Sequence, residues 1–529
     1  MLYMKENNMK EINIKAKIIP LLYVGVVVIY LFFDEGMIYD RLMDMQNISK
    51  IIYVLINLLF FCLLICLGLN CGKGNIILII ILFIGLSLDY IFCNIYGKTI
   101  DIVNLSVILG AVENITDAID TYSFEIICGI LKAGVIASVL FILRKYAYKN
   151  NYMSVLLFIL LILSYIAILL IKGVTGTIGF PKGINSLGCF ISVAINNINK
   201  NKDKEKISHV TSYEAYRCEK FNTCKIILVI DESVEREYFK EQLSQLNIGE
   251  YVFFENSYSA ANNSAASNFI LRKGRYIWKD GGKISKMFIF PSLFEVAKQS
   301  NMTTYYIDNQ NILTSQGIRN YFTEDEVKFI DRVYNNEKYA DYDKDIRSVD
   351  QIGEFIEAGK RSFIVINKSG SHFPYYKRIQ KGKVKFNRVD DYKTSIHDNT
   401  IEFLNKLYSK IDDETIILYT SDHGQNVENG VTHGNSGANV KINEYSIPII
   451  VISKNNKLLH LMKQAQGLQT HFAISETILN LMGFKTAFDN SFFQKKKEEE
   501  FCGIIGQPYS FFKGDIPCFY INENKNKNK

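Results

Sequence analysis

The sequence predicts a bundle of five transmembrane helices followed by an exported α/β domain with a mostly parallel, doubly wound sheet. The first observation is compositional: up to about residue 171 the chain is dominated by Ile, Leu, Val and Phe, and beyond that it is charged and rich in tyrosine. The second is a pattern. In the later part, short β-branched runs alternate with helix-like stretches, which is typical of a parallel sheet covered on both faces. A chain of 529 residues is long enough for both parts.

Several apolar stretches approach the roughly 20 residues that a helix needs to cross the hydrocarbon core of a bilayer. These predicted spans are Ile18–Phe33, Ile51–Leu69, Asn75–Tyr96, Phe124–Leu143 and Tyr152–Ile171. The first is the shortest, and the fourth contains a glutamate and a lysine. The first span is not typical of a cleaved signal peptide, because no small-residue cleavage site follows it and further spans do.

Charges in the short loops predict the orientation of the spans. Four lysines precede the first span, and basic residues separate the fourth from the fifth, whereas the loop after the first span is net acidic. By the positive-inside rule the N-terminus is cytoplasmic, and five crossings place everything after Ile171 outside the cytoplasm. The net charge of +6 is then a sum over two compartments and gives no indication of nucleic-acid binding.

Composition also predicts the domain boundaries. We expect a transmembrane domain at residues 1–171, a bridging segment at 172–220 with an interfacial helix around Leu187–Ile195, an exported domain at 221–521 and a disordered tail at 522–529. Outside the cytoplasm disulfides are permitted. Two cysteine pairs are then open to bonding, Cys218 with Cys224 and Cys502 with Cys518.

Five β-branched runs predict the strands of the exported domain. They are "KIILVI" (225–230), "MTTYYI" (302–307), "RSFIVIN" (361–367), "TIILYTS" (415–421) and "SIPIIVIS" (446–453). The first four are followed by polar groups, which include Glu232, Asn309, Gln310, His372, Asp422 and His423. In doubly wound sheets ligands bind outside the carboxyl ends of the strands, so we expect these groups to converge. Carboxylates with imidazole suit zinc or a similar divalent ion.

Two motifs resemble those of bacterial phosphoethanolamine transferases, membrane relatives in the alkaline phosphatase and sulfatase superfamily. "GSHFPYYKR" (370–378) is close to that family's Gly-Ser-His-x-Pro-x-Tyr-Tyr-Lys-Arg motif, and "SDHGQNVENGVTHG" (421–434) is similar to its Ser-Asp-His-Gly-Glu-Ser segment and downstream His-Gly. With the spans, the bridge and the α/β domain, the resemblance covers nearly the whole chain. It implies a sulfatase-type fold, a multi-pass protein of the bacterial inner membrane and a periplasmic catalytic domain.

The resemblance also implies a reaction. Phosphoethanolamine would pass from phosphatidylethanolamine to an envelope lipid or glycan, as in lipopolysaccharide modification, with release of diacylglycerol and a covalent intermediate on Ser264. One tightly bound zinc ion is implied, and whether a second ion binds is left open. The implied zinc ligands are Glu232, Ser264, Asp422 and His423. The implied substrate-binding residues are His372, His433, Asn309 and Gln310.

The sequence departs from the family in places, and alternatives stay open. Asp231 stands where the family has a glycine, the loop "SYSAANNSAASN" (257–268) lacks its usual cysteines and proline, and Ser267 rivals Ser264 as nucleophile. One alternative function is glycerol phosphate transfer of the lipoteichoic-acid-synthase kind, against which "GSHFPYYKR" argues. The other is a non-catalytic membrane scaffold or sensor, against which Glu232 and its predicted partners argue.

Overall fold

The structure is a computed structural model. It describes residues 25, 30, 47–69, 72–96, 99–102, 105, 108–109, 115–144, 152–172, 180–199, 208–209, 214–215, 224–279, 283–310, 312–313, 322, 324–428, 431–435, 440–485, 490–494, 499–505 and 518–522. Packing divides the chain into two compact units. Most of the first unit precedes Lys202 in the sequence, and most of the second begins there. The domain boundaries expected after residues 171, 220 and 521 stay predictions.

The first unit is helical. Its described helices are α1 (Asn47–Leu69), α2 (Lys73–Tyr96), α3 (Ile115–Arg144), α4 (Met153–Lys172) and α5 (Ile184–Asn199). Helices α1 to α4 each contain a stretch long and apolar enough to cross a membrane. Four of the predicted spans are therefore confirmed as apolar helices. The first predicted span lies outside the described residues except for two positions, and α5 contains the predicted interfacial helix.

A buried carboxylate holds the start of α5 against α2. Asp89 of α2 accepts hydrogen bonds from the backbone N–H groups of Gly183 (2.7 Å) and Ser186 (3.1 Å) and from the side-chain amide of Asn185 (2.9 Å). The first N–H groups of a helix have no partner within it, and a carboxylate there also interacts favourably with the helix dipole. A Cβ at Gly85 would lie 2.4 Å from the Gly183 carbonyl oxygen, so this close approach requires glycine.

The second unit is an α/β domain. Its helices are α6 (Arg236–Lys240), α7 (Ser264–Lys273), α8 (Leu293–Gln299), α9 (Glu324–Val327), α10 (Asp341–Glu357), α11 (Arg388–Ile396), α12 (Glu402–Lys410), α13 (Asn456–Met462) and α14 (His471–Met482). Its strands are β1 (Ser208–His209), β2 (Glu214–Ala215), β3 (Lys225–Asp231), β4 (Tyr251–Phe253), β5 (Ser257–Tyr258), β6 (Gly274–Lys279), β7 (Lys283–Ile289), β8 (Thr303–Asp308), β9 (Arg332–Asn335), β10 (Ser362–Asn367), β11 (Thr415–Ser421), β12 (Ile449–Ser453), β13 (Gln469–Thr470), β14 (Phe484–Lys485), β15 (Glu500–Ile504) and β16 (Cys518–Asn522).

The main sheet has seven strands in the order β4-β12-β11-β3-β10-β8-β9. From β11 to β9 neighbouring strands are parallel, β12 is antiparallel to β11, and β4 is antiparallel to β12. All five strands predicted from β-branched runs are present. The predicted mostly parallel α/β fold is confirmed, with β3 at the centre of the sheet.

Side chains of β3 alternate between two hydrophobic cores, as the two-residue period of a strand requires. Ile226 and Leu228 lie in a core that includes Phe294 of α8, whereas Ile227 lies in a core that includes Leu404 of α12. Every residue of β3 is buried. Helices therefore cover both faces of the sheet, which explains why its strands are continuous apolar runs rather than alternating ones.

One of the two predicted cysteine pairs is present. A disulfide joins Cys502 of β15 to Cys518 of β16. These two strands form an antiparallel hairpin. Cys218 lies outside the described residues, so its pairing with Cys224 stays a prediction.

Candidate active site

The register of the sheet brings two acidic residues together. In the parallel pair β3–β11, Ser421 lies opposite Asp231, so the next residues, Glu232 and Asp422, leave the sheet side by side. The backbone N–H of Asp422 still donates to the Asp231 carbonyl oxygen at 2.9 Å. Ligand atoms of Glu232, Asp422 and His423 all lie within 4.8 Å of one another, and the three residues are buried. The convergence expected at these two strand ends is therefore observed.

The atoms of these three residues that could bind a metal face one another. His423 Nδ1 lies 2.8 Å from the Gly424 carbonyl oxygen, which can only accept, so Nδ1 carries the proton. The other ring nitrogen, Nε2, lies 3.6 Å from Glu232 Oε1 and 3.6 Å from Asp422 Oδ2. Asp422 Oδ1 accepts from the backbone N–H of Ser233 (3.0 Å), whereas the buried Oδ2 receives no hydrogen bond from the described residues.

Electrostatics favour a cation at this point. Burial, reinforced by the neighbouring Asp422 carboxylate, holds the pKa of Glu232 well above its usual range. Two buried carboxylates side by side repel each other when both are ionised, and a bound divalent ion removes that cost. Carboxylate oxygens and imidazole nitrogens are among the ligands that zinc binds in proteins. The residues present therefore fit the zinc ion that the sequence predicts.

Ser264 is the first residue of α7 and faces this cluster. Its Oγ lies 3.2 Å from His423 Nε2 and 3.4 Å from each Glu232 carboxylate oxygen. The preceding Asn263 caps the helix, because its side chain accepts a hydrogen bond from the Ala266 N–H at 3.1 Å. A helix N-terminus favours negative charge, so this position suits both an ionised hydroxyl and a phosphoryl group.

Ser267, one turn further along α7, has a different environment. Its Oγ donates to the Ala261 carbonyl oxygen (3.0 Å) and accepts from the Ala261 N–H (3.2 Å), and the residue is fully buried. The hydroxyl therefore closes the loop before α7. Of the two candidate nucleophiles, Ser264 is the one that contacts Glu232 and His423.

Two further histidines lie beside the cluster. The ring of His433 is centred 4.0 Å from that of His423 and 6.5 Å from that of His372. His433 Nδ1 donates to the Gln425 side-chain oxygen at 3.0 Å, while Gln425 Nε2 donates to the Tyr375 hydroxyl at 3.0 Å. Burial lowers the pKa of His433 well below its usual range and that of His372 to about 4. Both imidazoles are therefore neutral near neutral pH.

The two predicted substrate-binding amides, Gln310 and Asn309, make contacts in different places. Gln310 Nε2 donates to Glu232 Oε2 (3.1 Å) and to the Lys368 carbonyl oxygen (2.6 Å), so this side chain borders the site. Asn309 is buried elsewhere, and its amide donates to Asp345 (2.8 Å) and Ser348 (2.9 Å). Within the described part of the chain, the contacts of Asn309 join it to this polar network and not to the cluster.

A buried ion pair that the sequence does not single out lies directly beneath Glu232. Asp231 Oδ2 accepts from Lys368 Nζ (2.5 Å), Thr400 Oγ1 (2.6 Å) and the Tyr419 hydroxyl (2.9 Å), and Oδ1 accepts from the Glu232 N–H (3.0 Å). Both side chains of the ion pair are fully buried. The sequence did contain a signal for this ion pair, namely Asp231 in place of the family's glycine. An acid at a buried strand end requires a cation nearby.

His471, the first residue of α14, is a second residue that the sequence does not single out. Its Nε2 donates to the Ser421 carbonyl oxygen (2.9 Å), and its Nδ1 accepts from the Ala260 N–H (3.2 Å). Burial lowers the pKa of His471 to about 4, so the ring is neutral. It connects the end of β11 to the loop that precedes Ser264. Nothing local in the sequence distinguishes it from the other histidines.

Comparisons with known proteins agree with this architecture. Residues 226–484 match the family model named Sulfatase, and this segment contains every residue of the cluster. The integral membrane lipooligosaccharide phosphoethanolamine transferase A from Neisseria meningitidis is similar in fold, with a TM-score of 0.56 and 16% identity over 90% of this chain and 97% of that chain. No curated protein matches the chain by sequence.

Two further solved structures cover smaller shares of this chain. The C-terminal periplasmic domain of EcEptC from Escherichia coli, in complex with Zn, has a TM-score of 0.46 and 16% identity over 60% of this chain and 97% of that chain. The lipoteichoic acid synthase LtaP from Listeria monocytogenes has a TM-score of 0.40 and 15% identity over 62% of this chain and 91% of that chain. The predicted sulfatase-type fold is thus confirmed by the family match and by the transferase from Neisseria.

Proposed function

We propose that this chain, which has a sulfatase-family domain and the fold of a membrane-anchored phosphoethanolamine transferase, transfers phosphoethanolamine from phosphatidylethanolamine to an envelope lipid or glycan. One observation carries the proposal. The Ser264 hydroxyl lies at a helix N-terminus, 3.2 Å from His423 Nε2 and 3.4 Å from the Glu232 carboxylate. An activated hydroxyl in such surroundings is suited to attack phosphorus and to carry the phosphoryl group as an ester.

In the first step Ser264 Oγ attacks the phosphorus of the donor lipid. An Oγ–P bond forms, the bond between phosphorus and the glycerol oxygen breaks, and diacylglycerol leaves with the proton that Ser264 loses. Glu232, Asp422, His423 and Ser264 would hold the zinc ion. When bound, zinc supplies positive charge that favours the ionised hydroxyl and offsets charge on the phosphoryl oxygens.

In the second step a hydroxyl or phosphate oxygen of the acceptor attacks the same phosphorus. The Oγ–P bond breaks, and the proton that the acceptor loses returns to Ser264 Oγ. We assign contacts with the phosphoryl group to His372 and His433. Because burial lowers the pKa of both, they act in the resting site as neutral hydrogen-bonding groups rather than as cations.

We place the catalytic domain in the periplasm and the helices in the inner membrane of a bacterium. This location rests on the positive-inside prediction for five spans. The disulfide between Cys502 and Cys518 supports an oxidising compartment. Both the phospholipid donor and an envelope acceptor are then on the same side of the membrane as Ser264.

The decisive experiment measures diacylglycerol release by the detergent-purified full-length protein. Labelled phosphatidylethanolamine and labelled phosphatidylglycerol are supplied separately, each with and without a zinc chelator. We expect chelator-sensitive release from phosphatidylethanolamine alone. Release from phosphatidylglycerol alone would replace the proposal with glycerol phosphate transfer, and silence on both lipids from folded, zinc-loaded protein would refute it.

A further inference from the structure

A buried glutamate outside the cluster collects hydrogen bonds from several loops of the site. Glu444 is fully buried. Its Oε2 accepts from the side-chain amide (2.9 Å) of Asn262 and the backbone N–H (3.0 Å) of Asn435. Its Oε1 accepts from the side-chain amides of Asn435 (2.9 Å) and Asn426 (3.2 Å) and from the Lys441 N–H (3.0 Å). All five partners are N–H donors, which is the pattern of an ionised carboxylate held by hydrogen bonds.

The three asparagines lie in two connections of the candidate site: Asn262 in the loop before α7, and Asn426 and Asn435 in the connection between β11 and β12, which also contains Glu444. Asn262 lies two residues before the proposed nucleophile, Asn426 three residues after the zinc-binding histidine, and Asn435 two residues after His433. One carboxylate therefore contacts the loop before Ser264 (the nucleophile loop, residues 259–263), the segment that follows β11 (the metal loop, residues 422–428) and the segment around His433 (residues 431–435). Loops far apart in the sequence are not held in register by local structure, so a shared acceptor is an effective way to fix their relative positions.

Backbone contacts join the same segments. The Gly424 N–H donates to the Glu444 carbonyl oxygen at 2.9 Å, and the Gly434 N–H donates to the Asn262 carbonyl oxygen at 3.0 Å. A Cβ at Gly424 would lie 2.0 Å from the Asn443 carbonyl oxygen. The metal loop and the turn that bears Glu444 are thus packed backbone against backbone.

We propose that Glu444 is a positioning residue, which holds the nucleophile loop and the metal loop at the distance that transfer requires. The proposal rests on the proposed function for the reaction itself, whereas its effect on metal binding does not. Residues that orient metal ligands from behind typically contribute about 10- to 100-fold in metal affinity. A displacement of about 1 Å between reacting groups costs about 10²-fold in rate.

The primary test is Glu444→Gln in the full-length protein. Glutamine has the same size but places an amino group at one oxygen position, so either two or three of the five hydrogen bonds are lost, whichever way it turns. We expect zinc affinity, measured by competition with a chelating dye, to fall about 10-fold or more. We expect kcat for diacylglycerol release to fall about 10²-fold while KM for phosphatidylethanolamine changes less than about threefold.

Single substitutions of Asn426 and Asn262 should affect zinc affinity and reaction rate differently, which substitutions that only destabilise the fold would not do. Asn426→Ala loosens the metal loop, so zinc affinity falls more than the rate of the first step at saturating zinc. Asn262→Ala loosens the nucleophile loop, so the burst of diacylglycerol slows more than zinc affinity falls. Added to Glu444→Gln, alanine has little further effect at the asparagine whose hydrogen bond the glutamine has already lost, because that interaction is already broken. These two variants also carry the test if Glu444→Gln fails to fold.

Glu326→Gln is the matched control. Glu326 is also fully buried, and it accepts from Arg272 Nε at 2.7 Å near the C-terminal end of α7. We expect a lower melting temperature with wild-type zinc affinity and kcat. The proposal is overturned if Glu444→Gln keeps wild-type zinc affinity and kcat, or if the control loses both to the same extent. Weaker zinc binding by Glu444→Gln in a protein inactive on phosphatidylethanolamine would sink the proposed function and leave the role of Glu444 standing.

Discussion

Replacing Ser264 with alanine is expected to abolish catalysis while leaving the folded state almost as stable as before. The side chain is only partly buried, and its contacts with Glu232 and His423 are 3.2–3.4 Å long. The helix cap does not use this hydroxyl, because Asn263 supplies it. Loss of such hydrogen bonds costs about 1 kcal/mol or less of folding free energy. Loss of a catalytic nucleophile costs roughly 10⁴- to 10⁶-fold in kcat.

Ser267→Ala is the companion variant and has the opposite profile. Its hydroxyl is fully buried and holds both backbone groups of Ala261. Without it the Ala261 N–H is left buried without this acceptor, which costs about 1–3 kcal/mol. We therefore expect Ser267→Ala to lower the melting temperature measurably while most of the turnover remains.

The assay compares three quantities for both variants: diacylglycerol release from phosphatidylethanolamine, zinc content by mass spectrometry and melting temperature in detergent. We expect Ser264→Ala to be inactive, zinc-loaded and as stable as the wild type. Turnover by Ser264→Ala, with none by Ser267→Ala, would show that the reasoning from geometry chose the wrong hydroxyl. Turnover by both variants would refute a covalent serine intermediate altogether.

Three further outcomes are expected. After zinc removal Glu232 destabilises the fold more at pH 8 than at pH 5, because burial and Asp422 raise its pKa and the penalty for ionising it develops as the pH rises through that pKa. Glu232→Gln removes this penalty, so the melting temperature of the variant should exceed that of the zinc-free wild type by more at pH 8 than at pH 5. Lys368→Met leaves the fully buried Asp231 carboxylate without its cation and costs about 3–5 kcal/mol, measured by chemical denaturation. Reduction of the β15–β16 disulfide, which closes a loop of 16 residues, lowers the free energy of unfolding by about 3 kcal/mol.

Periodicity and strand ends predicted most of the fold and the convergence of Glu232, Asp422 and His423. The β-branched runs are long and buried on both faces, so their apolar sequence was enough to identify them as strands. The register of β3 against β11 then brings Glu232 beside Asp422. The choice between Ser264 and Ser267 depends on which way the first turn of α7 faces, and the sequence does not determine that direction. Glu444 was missed because its contact with Asn262 spans 182 residues, and a lone glutamate before a strand usually lies on the surface.

The central position of β3 has a consequence for how the domain is made. This strand pairs with β10 and β11, which begin at residues 362 and 415, long after β3 ends at residue 231. During synthesis both edges of β3 therefore stay open while the intervening chain emerges, and such non-local pairing is slow and prone to aggregation. The carboxylates of β3 and β11 meet only when the sheet closes. A metal ion at this cluster would therefore bind the finished domain rather than nucleate its folding.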